Sequence, residues 1–310
     1  MPGLILEGGT FRPIFSAGVM DALLDNGLMF DYVIGVSAGI TDGFSYLSRQ
    51  KERNLRIVQR FRNDDRYLSM RNYLRCGSMF GLDFVFDEIP NKLEPFDWDA
   101  FYEFQGRIRV GVTNAHTGEI EYLDGRELDE KCTMLRATCA IPLYFPAIKI
   151  GENEYFDGGL ADSIPIRKAL RDGSKKNLIV LTQPEGYRKH TGKSVKIADK
   201  LLRRRYPKLC DVMLDRAKVY NDTVCFCEQL EKKRPHDTVL LRPQYAIDSF
   251  EKSVPKLEEA YRHGYELAVS RIDEIRALFD TYAKRWKSYD FHLFITESSS
   301  VHRAVLLPPR

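Results

Sequence analysis

The sequence predicts an α/β protein built on a mostly parallel sheet, and three observations carry that reading. Short apolar runs at Leu4–Leu6 and Tyr32–Val36 are each followed by a glycine-containing turn and then by apolar residues at helical spacing. Strand, helix, strand and helix fit into fewer than fifty residues, which only a parallel arrangement with crossover helices accommodates. Two later buried-type runs, Leu178–Leu181 and Thr238–Leu241, extend the same pattern.

The elements follow in order. Ile14, Ala17, Gly18, Ala22 and Leu23 lie on one helical face that closes at Asn26-Gly27. A second helix continues from Ala38 to about Tyr46. Residues 52–76 are charged and helical in pattern, and Arg109–Thr113 and Glu119–Leu123 read as strands joined across His116-Thr117-Gly118. A basic helical stretch covers about 192–232, and Ser253 with Pro255 just inside opens a last long helix reaching about residue 284. The tail beyond, with Ser298-Ser299-Ser300 and Pro308-Pro309, is expected to be peripheral.

Composition narrows the function classes. A chain of 310 residues, 44% apolar and 29% charged, buries a sizeable core. A net charge of +3 argues against nucleic acid as the partner. Six cysteines without C-x-x-C spacing or matching histidine pairs argue against zinc and disulfide-exchange sites, so no metal or cofactor is expected. No apolar run approaches the ~18–20 residues that span a bilayer. The first residues carry no basic stretch and meet Glu7, so no secretory signal is expected and a cytoplasmic setting follows.

Three short motifs carry chemistry. Gly35-Val36-Ser37-Ala38-Gly39 sits between the second strand and its helix, the setting of a nucleophile elbow, where Gly35 and Gly39 leave room and the helix N-terminus faces a developing oxyanion. Gly8-Gly9-Thr10-Phe11-Arg12 follows the first strand, where its N–H groups face an oxyanion or simply make a turn. Asp157-Gly158-Gly159 ends a short strand, as a base facing a serine or as a hairpin turn.

In this order the three motifs resemble the patatin-like phospholipase family, and the resemblance extends through Arg136–Pro146, Asp162–Ile166 and Leu241–Pro243. It implies a three-layer α/β/α sandwich with a helical C-terminal segment. One domain would cover 1–285, with its core at about 1–183 and an extension at 184–285, followed by a tail at 286–310. It further implies a serine acyl hydrolase of lipid esters with a Ser37–Asp157 dyad, Ser37 as nucleophile and Asp157 as general base. Gly8, Gly9, Thr10 and Arg12 would form the oxyanion loop, with Gly35, Gly39, Gly158 and Gly159 in support.

Two departures touch that loop: Thr10 stands where the family has a glycine, and Pro13 where it has another. They motivate an alternative, a weakly active or non-catalytic lipid-binding protein. A Ser-Asp-His triad with His236, His263 or His292 is a further alternative. Between 186 and 208, nine basic residues including Arg188, Lys189, Lys193, Lys196 and Lys200 face only Asp199, either as a solvated helix or as a transient contact with an anionic, inner-membrane surface. The aromatic run Met79–Ile89 lines an acyl pocket or packs the core.

Overall fold

The computed structural model describes residues 1–280, of which Met1–Leu278 form one compact unit. The expected tail, His292 and the final turns of the last helix lie outside the described residues. Eight strands make one sheet: β1 (Pro2–Leu6), β2 (Tyr32–Val36), β3 (Arg107–Asn114), β4 (Ile120–Asp124), β5 (Ile148–Ile150), β6 (Asn153–Asp157), β7 (Lys176–Val180) and β8 (Thr238–Leu241). Its order is β5-β6-β3-β2-β1-β7-β8, with β4 also paired to β3. The run from β3 to β8 is parallel, whereas β4, β5 and β6 join antiparallel.

Alternation along the strands sorts side chains to two faces. Ile5, Ile34, Ile179 and Leu240 point to one face and pack against α7 (Ile166–Arg171) and α9 (Pro207–Lys233) through Ala169, Tyr220, Val224 and Cys227. Leu6 points the other way, against Gly43 of α2 (Ser37–Leu47). There α1 (Ile14–Asp25) and α10 (Val254–Ser270) complete the layer. The two cross with their backbones nearly touching, since a Cβ on Gly264 would stand 2.0 Å from the Phe15 carbonyl oxygen and one on Gly18 2.0 Å from that of Tyr261.

Several expected helices are divided. The 52–76 stretch is α3 (Arg53–Phe61) and α4 (Met70–Cys76); between them Arg62 is drawn inward, with its guanidinium 4.1 Å from the Phe11 ring centre and donating to the Phe250 carbonyl at 2.7 Å. The 192–232 stretch is α8 (Lys193–Leu202) and α9, separated at Tyr206-Pro207, where proline disfavours a helical residue before it and suits the first helical position after it. The last helix is α10 followed by the short Ile272–Ala277 turn of helix.

The second half of the aromatic run lies in a π-helix, Phe84–Leu93, with Pro90 inside it, whereas Phe80 before it bridges to Leu68. Pro90 has no N–H to give the α-helical ladder, and the Glu94 N–H instead reaches the Ile89 carbonyl at 2.9 Å, one residue wider than an α-turn. The hairpin turn near the aspartate motif falls at Gly151-Glu152, between β5 and β6, and not at Asp157-Gly158.

Gly264→Ala is expected to destabilise the fold by about 2–4 kcal/mol in urea melts, because a methyl at 2.0 Å from a backbone oxygen forces the two helices apart. Unchanged stability would show that α1 and α10 do not pack as described.

Candidate active site

Strand β3 acts as the ruler of the site. Val36, the last residue of β2, pairs with Gly111, and Asp157, the last residue of β6, pairs with the next position, Val112. Two strand ends from distant parts of the chain therefore meet side by side. The Ser37 Oγ donates to Asp157 Oδ2 at 2.6 Å, across 120 residues of sequence.

Ser37 sits in a left-handed conformation, φ 54°, as the first residue of α2. A non-glycine residue there costs about 1–2 kcal/mol, and a strand-to-helix turn of this shape aims the hydroxyl outward from the sheet edge. Thr138 of α6 (Thr133–Thr138) holds the turn: its buried Oγ1 accepts the Ser37 N–H at 2.8 Å and donates to the Gly111 carbonyl at 2.5 Å. Gly39 lets α2 press on the first strand's exit, where a Cβ would lie 2.3 Å from the Glu7 carbonyl oxygen. Gly35 lies on β2 beside Leu6.

Asp157 is 4% exposed. Its second oxygen, Oδ1, accepts the Gly159 N–H at 2.7 Å, within the single 3₁₀ turn Gly158–Leu160 that follows β6. Burial raises its carboxyl above the ordinary aspartate value, and the Ser37 hydroxyl, the Arg216 charge and the Gly159 N–H pull it part of the way back. A raised folded-state value means that the neutral acid favours the fold. That contribution is present below the unfolded aspartate pKa and is lost as pH rises through the folded one.

The first glycine turn faces the same point. Thr10 has φ 58°, the left-handed setting in which a β-branched residue is strained, and Pro13 stands immediately before α1. Among the described residues, the N–H groups of Gly8, Gly9 and Thr10 donate to no protein acceptor. The Arg12 guanidinium lies against Gly9 and turns to the hydroxyls of Thr182, at 3.3 Å, and Ser249.

Ser37 lines two cavities. An apolar one of about 140 Å³ is walled by Phe11, Phe80, Val85, Phe86, Ile89 and Phe145, so the aromatic run contributes to a pocket as well as to the core. Two charges interrupt that wall, Asp42, whose carboxyl burial pushes up to about 7, and Arg53, which burial lowers to about 10. The second cavity, about 330 Å³, is more polar than the first and includes Gly8, Arg12, Asp157, Lys189 and Arg216. His236 and His263 line neither; His263 stacks on Tyr245 and lies tilted against Phe15. No group of three or more His, Cys, Asp or Glu suited to a metal occurs among the described residues.

Comparison with known proteins decides the family. The model for patatin-like phospholipase matches residues 4–170, more than half of the chain. The chain belongs to the patatin-like phospholipase family. Residues 206–280 match a second model, a domain of unknown function (DUF6363). The "Uncharacterized protein YjjU" of Escherichia coli (strain K12) is 26% identical over 186 residues, 58% of this chain and 52% of that protein. The "Probable lipid hydrolase 463L" of Invertebrate iridescent virus 6 is 24% identical over 196 residues, 56% of this chain and 65% of the viral protein. The chain thus spans between half and two thirds of the length of these curated relatives. VipD from Legionella pneumophila, known from a crystal structure, matches with 15% identity and a TM-score of 0.42 over 88% of this chain and 66% of its own.

Thr138, Glu7, Lys189 and Arg216 are site neighbours that the motifs did not single out. Thr138 lies within the Arg136–Pro146 segment of the family pattern, whereas Lys189 and Arg216 lie C-terminal to residues 4–170. Thr138→Val, which keeps shape and removes the hydroxyl, is expected to cost about 2–4 kcal/mol in denaturant melts, since the buried Ser37 N–H and Gly111 carbonyl both lose their partner. A change below about 0.5 kcal/mol would show that these groups find other partners.

Proposed function

We propose that the protein is a serine hydrolase that cleaves carboxylic esters of lipids, with Ser37 as nucleophile and Asp157 as its general base. The observation that carries this reading is the 2.6 Å Ser37–Asp157 hydrogen bond, with Ser37 lining an apolar cavity. Family membership and the viral relative described as a probable lipid hydrolase support an acyl lipid as substrate class.

The chemistry follows from the placement. The acyl chain enters the apolar cavity and sets its carbonyl carbon beside Ser37 Oγ. As Oγ attacks, its proton passes to Asp157 Oδ2, and the carbonyl oxygen becomes an oxyanion. The open N–H groups of Gly8, Gly9 and Thr10, with the first free N–H groups of α2, receive that charge. The tetrahedral carbon then expels the alcohol, which takes the proton back from Asp157, leaving an acyl-Ser37 ester. Water attacks this ester, giving its proton to Asp157; the carboxylic acid leaves and Ser37 Oγ recovers the proton. Concerted transfer avoids a free alkoxide, and the desolvated, raised-pKa carboxylate is a better proton acceptor than an exposed aspartate.

This reading predicts that a fluorophosphonate labels Ser37 and that Ser37→Ala abolishes both labelling and hydrolysis of short-chain p-nitrophenyl esters. Because Asp157 serves only as carboxylate, kcat/KM should fall as pH is lowered through a value above the ordinary 3.8. A folded, unlabelled protein would favour the lipid-binding alternative, and activity that survives Asp157→Asn but is lost in one His→Ala variant would favour the triad.

The reading extends to the lipid surface. α8 exposes Ile197 (54%) and Leu201 (65%), one helical turn apart, among Lys193, Lys196 and Lys200. No described helix is long and apolar enough to cross a membrane. Docking of this face to anionic lipid is expected to give vesicle binding that weakens steeply between low and high salt; equal binding to neutral and anionic vesicles at low salt would contradict it.

A further inference from the structure

The apolar cavity beside Ser37 is not apolar throughout. One wall is a strip of α2 made of Ser37, Ala38, Thr41 and Asp42, and α3 adds its first two residues, Arg53 and Asn54. The Asp42 side chain is half-buried, and among the described residues its carboxyl has no hydrogen-bond or ion-pair partner. Arg53 is 7% exposed. Its Nη1 donates to the Ser45 hydroxyl at 3.2 Å and its Nη2 to the Glu94 carbonyl at 2.9 Å, while its buried Nε–H meets no acceptor. The Glu94 carboxylate is engaged by Arg56 at 2.8 Å and Arg60 at 2.7 Å. Asn54 is engaged as well, donating to the Asp42 backbone carbonyl at 3.0 Å and accepting from the Ser45 hydroxyl at 2.8 Å.

A buried donor without a partner is unfavourable, and a carboxyl without one on the same wall adds to the cost. An acyl chain that is hydrocarbon throughout would leave both groups unpaired in a drier pocket. Opposite charges flank the space, so a carboxylate there would face Asp42 and an ammonium would face Arg53. A hydroxyl suits both, because it holds one donor and two acceptor positions. It accepts from Arg53 Nε–H and either donates to the Asp42 carboxylate or accepts from the Asp42 acid; burial that pushes Asp42 up to about 7 brings both forms within reach of neutral pH. Asp42 lies five residues beyond Ser37 on α2, ~7.5 Å along the axis at ~1.5 Å per residue. Carbon–carbon bonds of ~1.5 Å in an extended chain advance ~1.25 Å each, so about six carbons cover that distance. The cavity volume of about 140 Å³ agrees, since an engineered cavity of ~150 Å³ holds a benzene ring.

We propose that Asp42 and Arg53 form a hydroxyl subsite within the acyl cavity, and that the acyl group preferred there carries a hydroxyl about six carbons from the scissile carbonyl. The inference rests on the reading of Ser37 as nucleophile. It narrows the substrate class from acyl esters in general to esters of hydroxylated acyl chains. Asp42 and Arg53 are then specificity determinants, which touch the acyl chain away from the reacting atoms. A site built to hydrogen-bond a substrate hydroxyl rejects the analogue without it far more strongly than an apolar pocket rejects a missing methylene, because its own buried polar groups are left unpaired. The unsubstituted chain still fits against Phe80, Phe86 and Phe145, so it is disfavoured and not excluded.

The test is ligand-observed NMR titration of the full-length Ser37→Ala protein with methyl esters, which separates recognition from turnover. The probes are methyl 6-hydroxyhexanoate, methyl hexanoate, methyl 2-hydroxyhexanoate and monomethyl adipate. The 6-hydroxy ester is expected to bind about tenfold or more tightly than each of the other three. Two variants, each made on Ser37→Ala, locate that preference. Asp42→Leu keeps the shape and removes both oxygens, and Arg53→Lys keeps the charge and puts a methylene where Nε–H stands; in each the preference over hexanoate should fall below about threefold. Methyl hexanoate binding as tightly as the 6-hydroxy ester would overturn the proposal without any variant being needed, and so would a preference unchanged in either variant. Equal binding of the 2-hydroxy ester would place recognition beside Ser37, and tighter binding of the adipate would make this a carboxylate site; either result overturns the proposal. If Arg53→Lys does not fold, Asp42→Leu decides alone. If the 6-hydroxy ester is preferred but wild-type protein hydrolyses none of the esters, the catalytic reading fails while the hydroxyl subsite stands. Hydrolysis of the hexanoate and 6-hydroxyhexanoate esters at equal kcat/KM, with no binding preference, does the reverse.

Discussion

The hydrogen bond between Ser37 and Asp157 depends on register. β2 and β6 come to β3 from opposite directions and end at consecutive positions, Gly111 and Val112. A slip of β6 by one residue would send Asp157 to the other face of the sheet. The register is fixed at several points around that end: the Thr113 hydroxyl donates to the Asp157 carbonyl at 2.8 Å, the Asp157 N–H to the Ala140 carbonyl at 2.9 Å, and Thr138 ties Ser37 to Gly111. The short antiparallel hairpin of β5 and β6 thus exists in a mostly parallel sheet for a reason that shows at its last residue.

The same region holds several costly features at once. Ser37 and Thr10 are left-handed, Asp157 is buried, and three cations share a chamber with the Glu7 and Asp157 carboxylates. Features of this kind persist only where the surroundings over-determine them. Here a largely buried parallel sheet, the tight crossing of α1 and α10, and the close seat of Gly39 on the Glu7 carbonyl supply the constraint. The segment after β7 is part of that support: β8 extends the sheet and α10 packs on α1, so it is continuous with the core that carries the dyad.

The sequence made the local half of this legible. Short apolar runs and glycine turns placed β1, β2, β7 and β8, and a strand followed by G-x-S-x-G and helix placed Ser37 on its turn. Pro207 marks the division of the basic stretch, although the charge pattern alone reads through it. The unread half is long-range. Nothing near Arg62 announces that its side chain turns into the protein over Phe11, and the wide turn around Pro90 depends on what the aromatic run packs against. Lys189 reads locally as one more surface charge in a basic segment, and Arg216 as one cation of a polar helix. Their inward turn follows from the fold around Tyr220, Gly159 and Glu7.

The account stands or falls on Asp157 taking the Ser37 proton. The direct measurement is the single-turnover rate of Ser37 acylation by a p-nitrophenyl ester in Asp157→Asn, with denaturant melts on the same protein at neutral pH. The account predicts acylation slowed by about 10³-fold or more, in a protein at least as stable as wild type because the substitution removes a buried charge. Acylation within about tenfold of wild type, in protein that melts normally, would contradict it.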